Sequence, residues 1–166
     1  MLILGIDPGT ATTGYGLIKA EGNKLTPIDY GTIRTQAREP TAARLSVLHD
    51  DLCSLIKTAA PEVVAVEQLF FNTNVTTALA VGQARGVILL AVAQAGIPLA
   101  EYTPLQVKQT VTGNGRATKQ QVGFMIKALL KLDTVPRPDD VSDALAIAIC
   151  HAHLGSMLHR LAKHAK

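Results

Sequence analysis

Apolar residues fill the first strand-length segment of the chain almost without a break. Leu2, Ile3, Leu4 and Ile6 precede Asp7, the pattern of a strand buried on both faces of a sheet. Segments at about 13–20 and 24–34 also read as strands. Asn23 marks the turn between them, and alternation through Leu25, Pro27 and Tyr30 is only approximate. Such short connections predict antiparallel neighbours. Thr41 is the expected N-cap of a helix through Ala60, with Leu45, Leu48, Leu52, Leu55 and Ile56 on one face and Pro61 as the stop.

The pattern then changes to alternating strands and helices. VVAVEQL predicts a buried fourth strand at 63–69, and the FFNTN loop leads into a helix of about 75–95 that is apolar almost all round. A short strand is expected near 97–102. Thr103-Pro104 opens another helix with Pro at its first position, and the GNG at 113–115 breaks it. The helix at about 119–132 carries Val122, Met125, Ile126 and Leu129 on its inner face; DTVPRPD reads as a rigid loop, and a last helix starts near Asp140. No linker, repeat or low-complexity segment interrupts the chain. The expectation is an α/β domain over 1–156 with a short basic tail at 157–166. Its core is one five-stranded mixed sheet, three antiparallel strands then parallel strands, with helices on both faces.

Composition supports one globular domain. Of 166 residues, 48% are hydrophobic and 17% charged, which excludes a disordered chain. No apolar run reaches the roughly 18–20 residues of a membrane span, and Met1 leads straight into strand without a basic leader. A cytoplasmic protein with no membrane association is expected. Cys53 and Cys150 lie far apart with no nearby second Cys, so both read as reduced thiols rather than zinc ligands. The net charge of +3 is uneven: residues 1–83 carry −2 and residues 84–166 carry +5. That asymmetry hints at a polyanionic partner.

The acids change the picture further. Asp7 ends LILGID and Glu67 ends VVAVE, so two carboxylates are expected side by side at one edge of the sheet. The bland alternatives are that Asp7 caps the Pro8-Gly9 turn and that Glu67 points to solvent beyond the last buried position. Asp140 and Asp143, three apart, share a face in the first turn of the last helix, although acids there also suit capping and the helix dipole. Four uncompensated acids at one spot would repel strongly. Divalent cations supply compensation: Mg²⁺ prefers oxygen ligands, and two ions about 3.5–4 Å apart can clamp the attacking and leaving oxygens of a phosphoryl displacement. The chain has no G-x-S-x-G that would offer a serine nucleophile instead.

Four segments, GIDPGTATTGYG, AVEQLF followed by GQARG, YTPLQVKQTVTGNG, and DDVSDALAIAICHAH, together resemble the RuvC family of bacterial Holliday-junction resolvases. They occur in order from about residue 2 to 153. The resemblance implies a ribonuclease-H-like fold, a homodimer, and four-way junction DNA as substrate in recombination and repair. It further implies paired symmetric nicks in strands of like polarity, two Mg²⁺ per subunit with Mn²⁺ as substitute, and the branch-migration proteins RuvA and RuvB as partners. Asp7, Glu67, Asp140 and Asp143 fall on the family's metal-binding catalytic positions, leaving Asp139 as a helix cap. Lys108 and Lys119 match basic residues near the scissile phosphate, Lys119 being counted with the catalytic set; each could otherwise be a solvated helix lysine. Phe70 matches an aromatic near the junction crossover, against a core reading that suits Phe71 better. Arg116 and Asn74 complete the candidate DNA-binding residues. Thr73 and Ala11 depart from the family's pattern, where basic residues often stand. The helix with Gly82, Arg85 and Gly86 is a candidate dimer surface, though a monomer core would read the same. His151, His153, His159 and His164 are expected along a polar helix face rather than in a metal cluster.

Three rival readings share some of these features. GIDPGT also suits an actin-like ATPase, but that fold needs a duplicated domain for which this length leaves no room. A non-catalytic junction-binding protein would not need all four acids. A ribonuclease acting on RNA–DNA hybrids would share the metal chemistry and differ in substrate.

Overall fold

A computed structural model describes residues 1–68 and 75–164. Along them run β1 (Leu2–Asp7), β2 (Thr12–Glu21), β3 (Lys24–Arg34), α1 (Thr41–Ala59), β4 (Val63–Glu67), α2 (Val75–Gln94), β5 (Leu99–Tyr102), α3 (Pro104–Thr112), α4 (Lys119–Leu130) and α5 (Asp139–His164). The strands form one sheet in the order β3-β2-β1-β4-β5. β2 pairs antiparallel with both β1 and β3, whereas β4 pairs parallel with β1 and with β5. This is the mixed five-stranded, ribonuclease-H-like sheet that the sequence predicts.

Side chains alternate across the sheet and build two cores. Leu4, Ile6, Val64 and Val66 pack with Leu48, Leu52 and Ile56 of α1 and with Ala84, Ile88 and Val92 of α2. Ile3, Val63 and Ala65 point the other way, towards Val107 of α3, Ile126 of α4, and Val141, Leu145 and Ile149 of α5. Continuing that alternation puts Asp7, after Ile3 and Gly5, and Glu67, after Val63 and Ala65, on the α5 face. Both strands end there, and the pairing of Ile6 with Val66 makes Asp7 and Glu67 neighbours.

Glycines let α5 lie directly on this face. Gly5 pairs with Gly16 and Asp7 with Gly14. A Cβ on Gly14 would sit 2.0 Å from the Asp140 carbonyl oxygen, and one on Gly5 would sit 2.2 Å from the Ala144 carbonyl oxygen. Neither approach is open to a residue with a side chain, so the helix backbone rests on the strand backbone.

Several boundaries differ from expectation for local reasons. Pro40, not Thr41, occupies the N-cap of α1 in extended geometry, and Thr41 is the first helical residue. The imperfect alternation of β3 comes from a bulge: Leu17 pairs with Asp29 but Ile18 with Pro27, leaving Ile28 as the extra, exposed residue. β4 ends at Glu67, where the Gln68 N–H donates to the Tyr102 carbonyl. β5 starts only at Leu99. Before it, Gly96 turns left-handed at φ 67° and the Pro98 carbonyl accepts from Val64 N–H. α3 stops as expected at Gly113, which takes φ 75° as its C-cap. α5 extends to His164, into the 157–166 segment read from the sequence as a tail. No helix among the described residues is long and apolar enough to cross a membrane.

A methyl group at Gly14 must push against helix backbone, not a flexible side chain. Gly14→Ala is expected to destabilise the fold by about 1–3 kcal/mol through overpacking, read as a lower midpoint in urea unfolding. A midpoint equal to wild type would mean that α5 does not need this contact.

A cluster of carboxylates at the sheet edge

Each acid is carried by an element that is itself pinned. The turn after Asp7 is closed by Thr13, a fully buried residue whose hydroxyl donates to the Gly9 carbonyl at 2.7 Å. Thr10 ties the same turn to α2 by donating to the Ala80 carbonyl at 2.7 Å. At the end of β4 the Arg85 Nε–H donates to the Glu67 carbonyl at 3.4 Å, while its guanidinium forms an ion pair with Glu101 of β5. The start of α5 is held by Ser142, whose hydroxyl donates to the Pro136 carbonyl at 2.8 Å. Farther along, His151 Nδ1 hydrogen-bonds the Tyr102 hydroxyl at 2.7 Å, locking α5 to β5.

The four expected acids share one electrostatic environment. The Asp7 carboxyl is pushed from 3.8 up to about 8, first by burial and then by the charges of Asp143, Glu67 and Asp140, with Lys119 opposing. Burial and Asp143 push Glu67 from 4.5 up to about 7 against the pull of Lys119 and Lys108. Lys119 Nζ donates to Asp143 Oδ2 at 3.0 Å, and that bond holds the ammonium above its ordinary value. Asp7 is therefore no mere turn cap, and Glu67 does not simply face solvent. Asp139 lies at the edge of the cluster, paired with Arg137 rather than acting as a separate cap.

The other expected site residues divide. Lys108, partly buried on α3, acts on Glu67 and so lies near the acids. Lys119, at the start of α4, is bonded directly to one of them. Arg116 is exposed in the turn between α3 and α4, where its backbone N–H donates to Asn114 Oδ1 at 2.9 Å. Phe70, Phe71, Thr73 and Asn74 lie outside the described residues. His151 departs from the expected polar face: burial against Tyr102 holds its imidazole below the ordinary value. The side chains of His159 and His164 lie outside the described residues. Cys150 is a buried free thiol, pushed up to about 11 by burial, and Cys53 is free and half-buried.

Arg85, Ser142, Thr13 and Gly14 were not among the expected site residues. The alternating glycines of GYG beside LILGID carry a signal for Gly14. Arg85 acts through Glu67, 18 residues away, which no local pattern marks. Thr13 and Ser142 brace turns through carbonyls four and six residues back, and a lone hydroxyl residue in a loop does not announce that bond.

The donor set fits a hard divalent cation. Two carboxyls raised by burial and mutual repulsion mark a deficit of positive charge that Lys119 and Lys108 offset only in part, and carboxylate oxygens are the ligands such ions prefer. Among the described residues, no three His, Cys, Asp or Glu side chains are already grouped to hold an ion; Asp143 is instead turned to Lys119.

Comparisons with known proteins point to a single family. The model of the family described as crossover junction endodeoxyribonuclease RuvC matches residues 3–151. The crossover junction endodeoxyribonuclease RuvC of Desulfitobacterium hafniense (strain DSM 10664 / DCB-2) is 60% identical over 161 residues, covering 97% of this chain and 98% of that protein. The structure of Thermus thermophilus RuvC superposes with a TM-score of 0.87 at 38% identity, over 95% of this chain and 96% of that one. A T. thermophilus RuvC in complex with Holliday junction substrate also gives 0.87, at 35% identity and the same coverage.

The raised carboxyls bind protons more tightly in the folded chain than in the unfolded one. Their contribution is therefore fully favourable below about pH 4 and is lost as pH rises through about 7 and 8. With EDTA present, thermal melts of wild type and Asp7→Asn are expected to draw together as pH falls and to converge only below about pH 4, where Asp7 is protonated in both states. At pH 9 the variant should be more stable by several degrees. A difference that stays constant from pH 5 to 9 would contradict the raised Asp7 carboxyl.

Proposed function

Because the chain belongs to the RuvC family of crossover junction endodeoxyribonucleases, we propose that it resolves Holliday junctions by hydrolysing one phosphodiester in each of two strands of like polarity. The observation that carries this reading is the convergence of Asp7, Glu67, Asp140 and Asp143 from three separate elements, with Asp7 and Glu67 driven far above ordinary carboxylates.

The four acids would hold Mg²⁺, two ions per subunit, with Mn²⁺ able to substitute. Bound there, the ions supply positive charge to the scissile phosphate and to the departing oxygen. The remaining work falls to the chain. Burial of Asp7 excludes competing water and fixes the carboxylate on a rigid strand end, so that no reorganisation is needed as charge develops. Lys119 keeps its proton through Asp143, and its side chain is 67% exposed, so its ammonium can donate to a phosphate oxygen that comes to rest on the acids. Lys108, beside Glu67, adds charge to the approaching backbone. Phe70, Asn74 and Arg116 are proposed as further DNA contacts.

A homodimer would present two such sites to the two strands. α2 supports this: Leu79 and Leu90 are exposed on the helix face that carries Gly86, and a Cβ on Gly86 would meet open space. Nothing in the described chain therefore requires glycine there, whereas close approach of a second helix would. We further propose a cytoplasmic setting in which RuvA and RuvB deliver the junction.

Labelled mobile four-way junction, matching duplex and RNA–DNA hybrid, each with Mg²⁺, Mn²⁺ or EDTA, test the activity. Paired symmetric nicks in the junction alone are expected, abolished by EDTA and reduced at least a thousandfold in Asp7→Asn. Tight junction binding without nicks in either metal would sink the nuclease reading, and cleavage of the hybrid alone would change its substrate. For the assembly, Leu90→Glu is expected to convert a sedimenting dimer to monomer without lowering the α-helical circular dichroism. A variant that remains dimeric would remove α2 from the interface.

A further inference from the structure

Phe124 is out of keeping with its helix. Val122, Ile126 and Leu130 of α4 are buried, yet Phe124 is 65% exposed. It is also the ridge between two hollows. One, of about 380 Å³, is lined by Thr112, Asn114 and Met125; the other, of about 400 Å³, by Lys119, Arg137 and Asp143; Phe124 and Gln120 line both. The second hollow therefore shares a wall with the carboxylate cluster.

Arg137 is held at this hollow by the packing of its loop on α4. A Cβ on Gly123 would lie 2.8 Å from Val135 Cγ1, so glycine lets the loop before α5 sit against the helix. The Arg137 side chain is 73% exposed and pairs with Asp139. A guanidinium has five N–H donors in a planar fork, so one carboxylate does not exhaust it.

We propose that Phe124 and Arg137 position the nucleotide next to the scissile phosphate, the Phe124 ring stacking on its base and Arg137 binding its phosphate. The inference rests on the resolvase reading above and deepens it. A strand whose phosphate lies at Asp143 continues directly into the hollow that shares Asp143. That hollow supplies a cation on either side and an aromatic face in water. Stacking is tolerant of base identity because every base has a π-face, which suits an enzyme that must act at a crossover where bases become unpaired. A protein partner seated on Phe124 would account for the exposed ring but not for the two cations or for the wall shared with the acids.

The test uses the full-length wild-type protein with Phe124→Ala, Phe124→Trp and Arg137→Gln in single-turnover cleavage of the junction. A second series of junctions carries one abasic site, stepped through the positions around the cut. Phe124→Ala is expected to cut roughly tenfold more slowly, in line with loss of one base stack, and Phe124→Trp to recover the rate. At one abasic position the wild type should fall to the level of Phe124→Ala, while Phe124→Ala falls no further; that non-additivity marks direct contact. Arg137→Gln should lower the salt slope of junction binding by about one. Equal rates for wild type and Phe124→Ala, or losses that add at every abasic position, overturn the inference while leaving the resolvase reading in place. A Phe124→Ala protein that cuts normally alone but no longer responds to a branch-migration complex would assign the ridge to a protein partner, and also overturns it. Failure of wild type to cut any junction would overturn both.

Discussion

The contact of α5 with the glycines of β1 and β2 is the constraint on which the remaining structure depends. Gly5, Gly14 and Gly16 remove side chains from one strip of the sheet, and the helix comes down until its backbone touches the strand backbone. Only at that separation do Asp140 and Asp143 act on Asp7. The cost is electrostatic, since a carboxyl surrounded by three others and shielded from water resists ionisation. A site meant merely to be stable would not be built so. The tightness of the packing fixes the acids against the repulsion that would otherwise spread them.

That arrangement explains the place of Lys119. Its ammonium, from the first residue of α4, lies on Asp143 and also acts on Asp7 and Glu67. In the absence of other cations it is the nearest compensation available to the cluster. A lysine on a flexible four-carbon stem can both relieve the acids and turn outward to a phosphate, which an arginine locked in a bidentate pair would do less readily. Arg85 serves the opposite purpose. Tied at once to the Glu67 carbonyl and the Glu101 carboxylate, it is a fixed brace for the strand ends.

Much of this was legible in the sequence because the chain is locally consistent. Uninterrupted apolar strands ending in acids located Asp7 and Glu67, and the buried run DALAIAI located Asp140 and Asp143 on the face of a packed helix. The topology followed from short early connections and later helical crossovers. What escaped reading depends on contacts between distant residues. His151 looked like one of a polar row, yet its half-buried ring is bonded to Tyr102, 49 positions away in sequence. Arg85 looked like part of a surface motif, yet it reaches back 18 residues to Glu67. The bulge at Ile28 was visible only as poor alternation, because a one-residue insertion leaves composition unchanged.

The carboxylates also come from opposite ends of the chain. Asp7 lies on the first strand, and Asp140 and Asp143 on the last helix, more than 130 residues later. During synthesis the early strands can pair and the middle helices can pack, but the centre stays incomplete until the final helix has emerged and settled onto its glycine bed. The cluster is thus the last part of the chain to be completed: a polypeptide whose final helix has not yet emerged carries only two of the four acids.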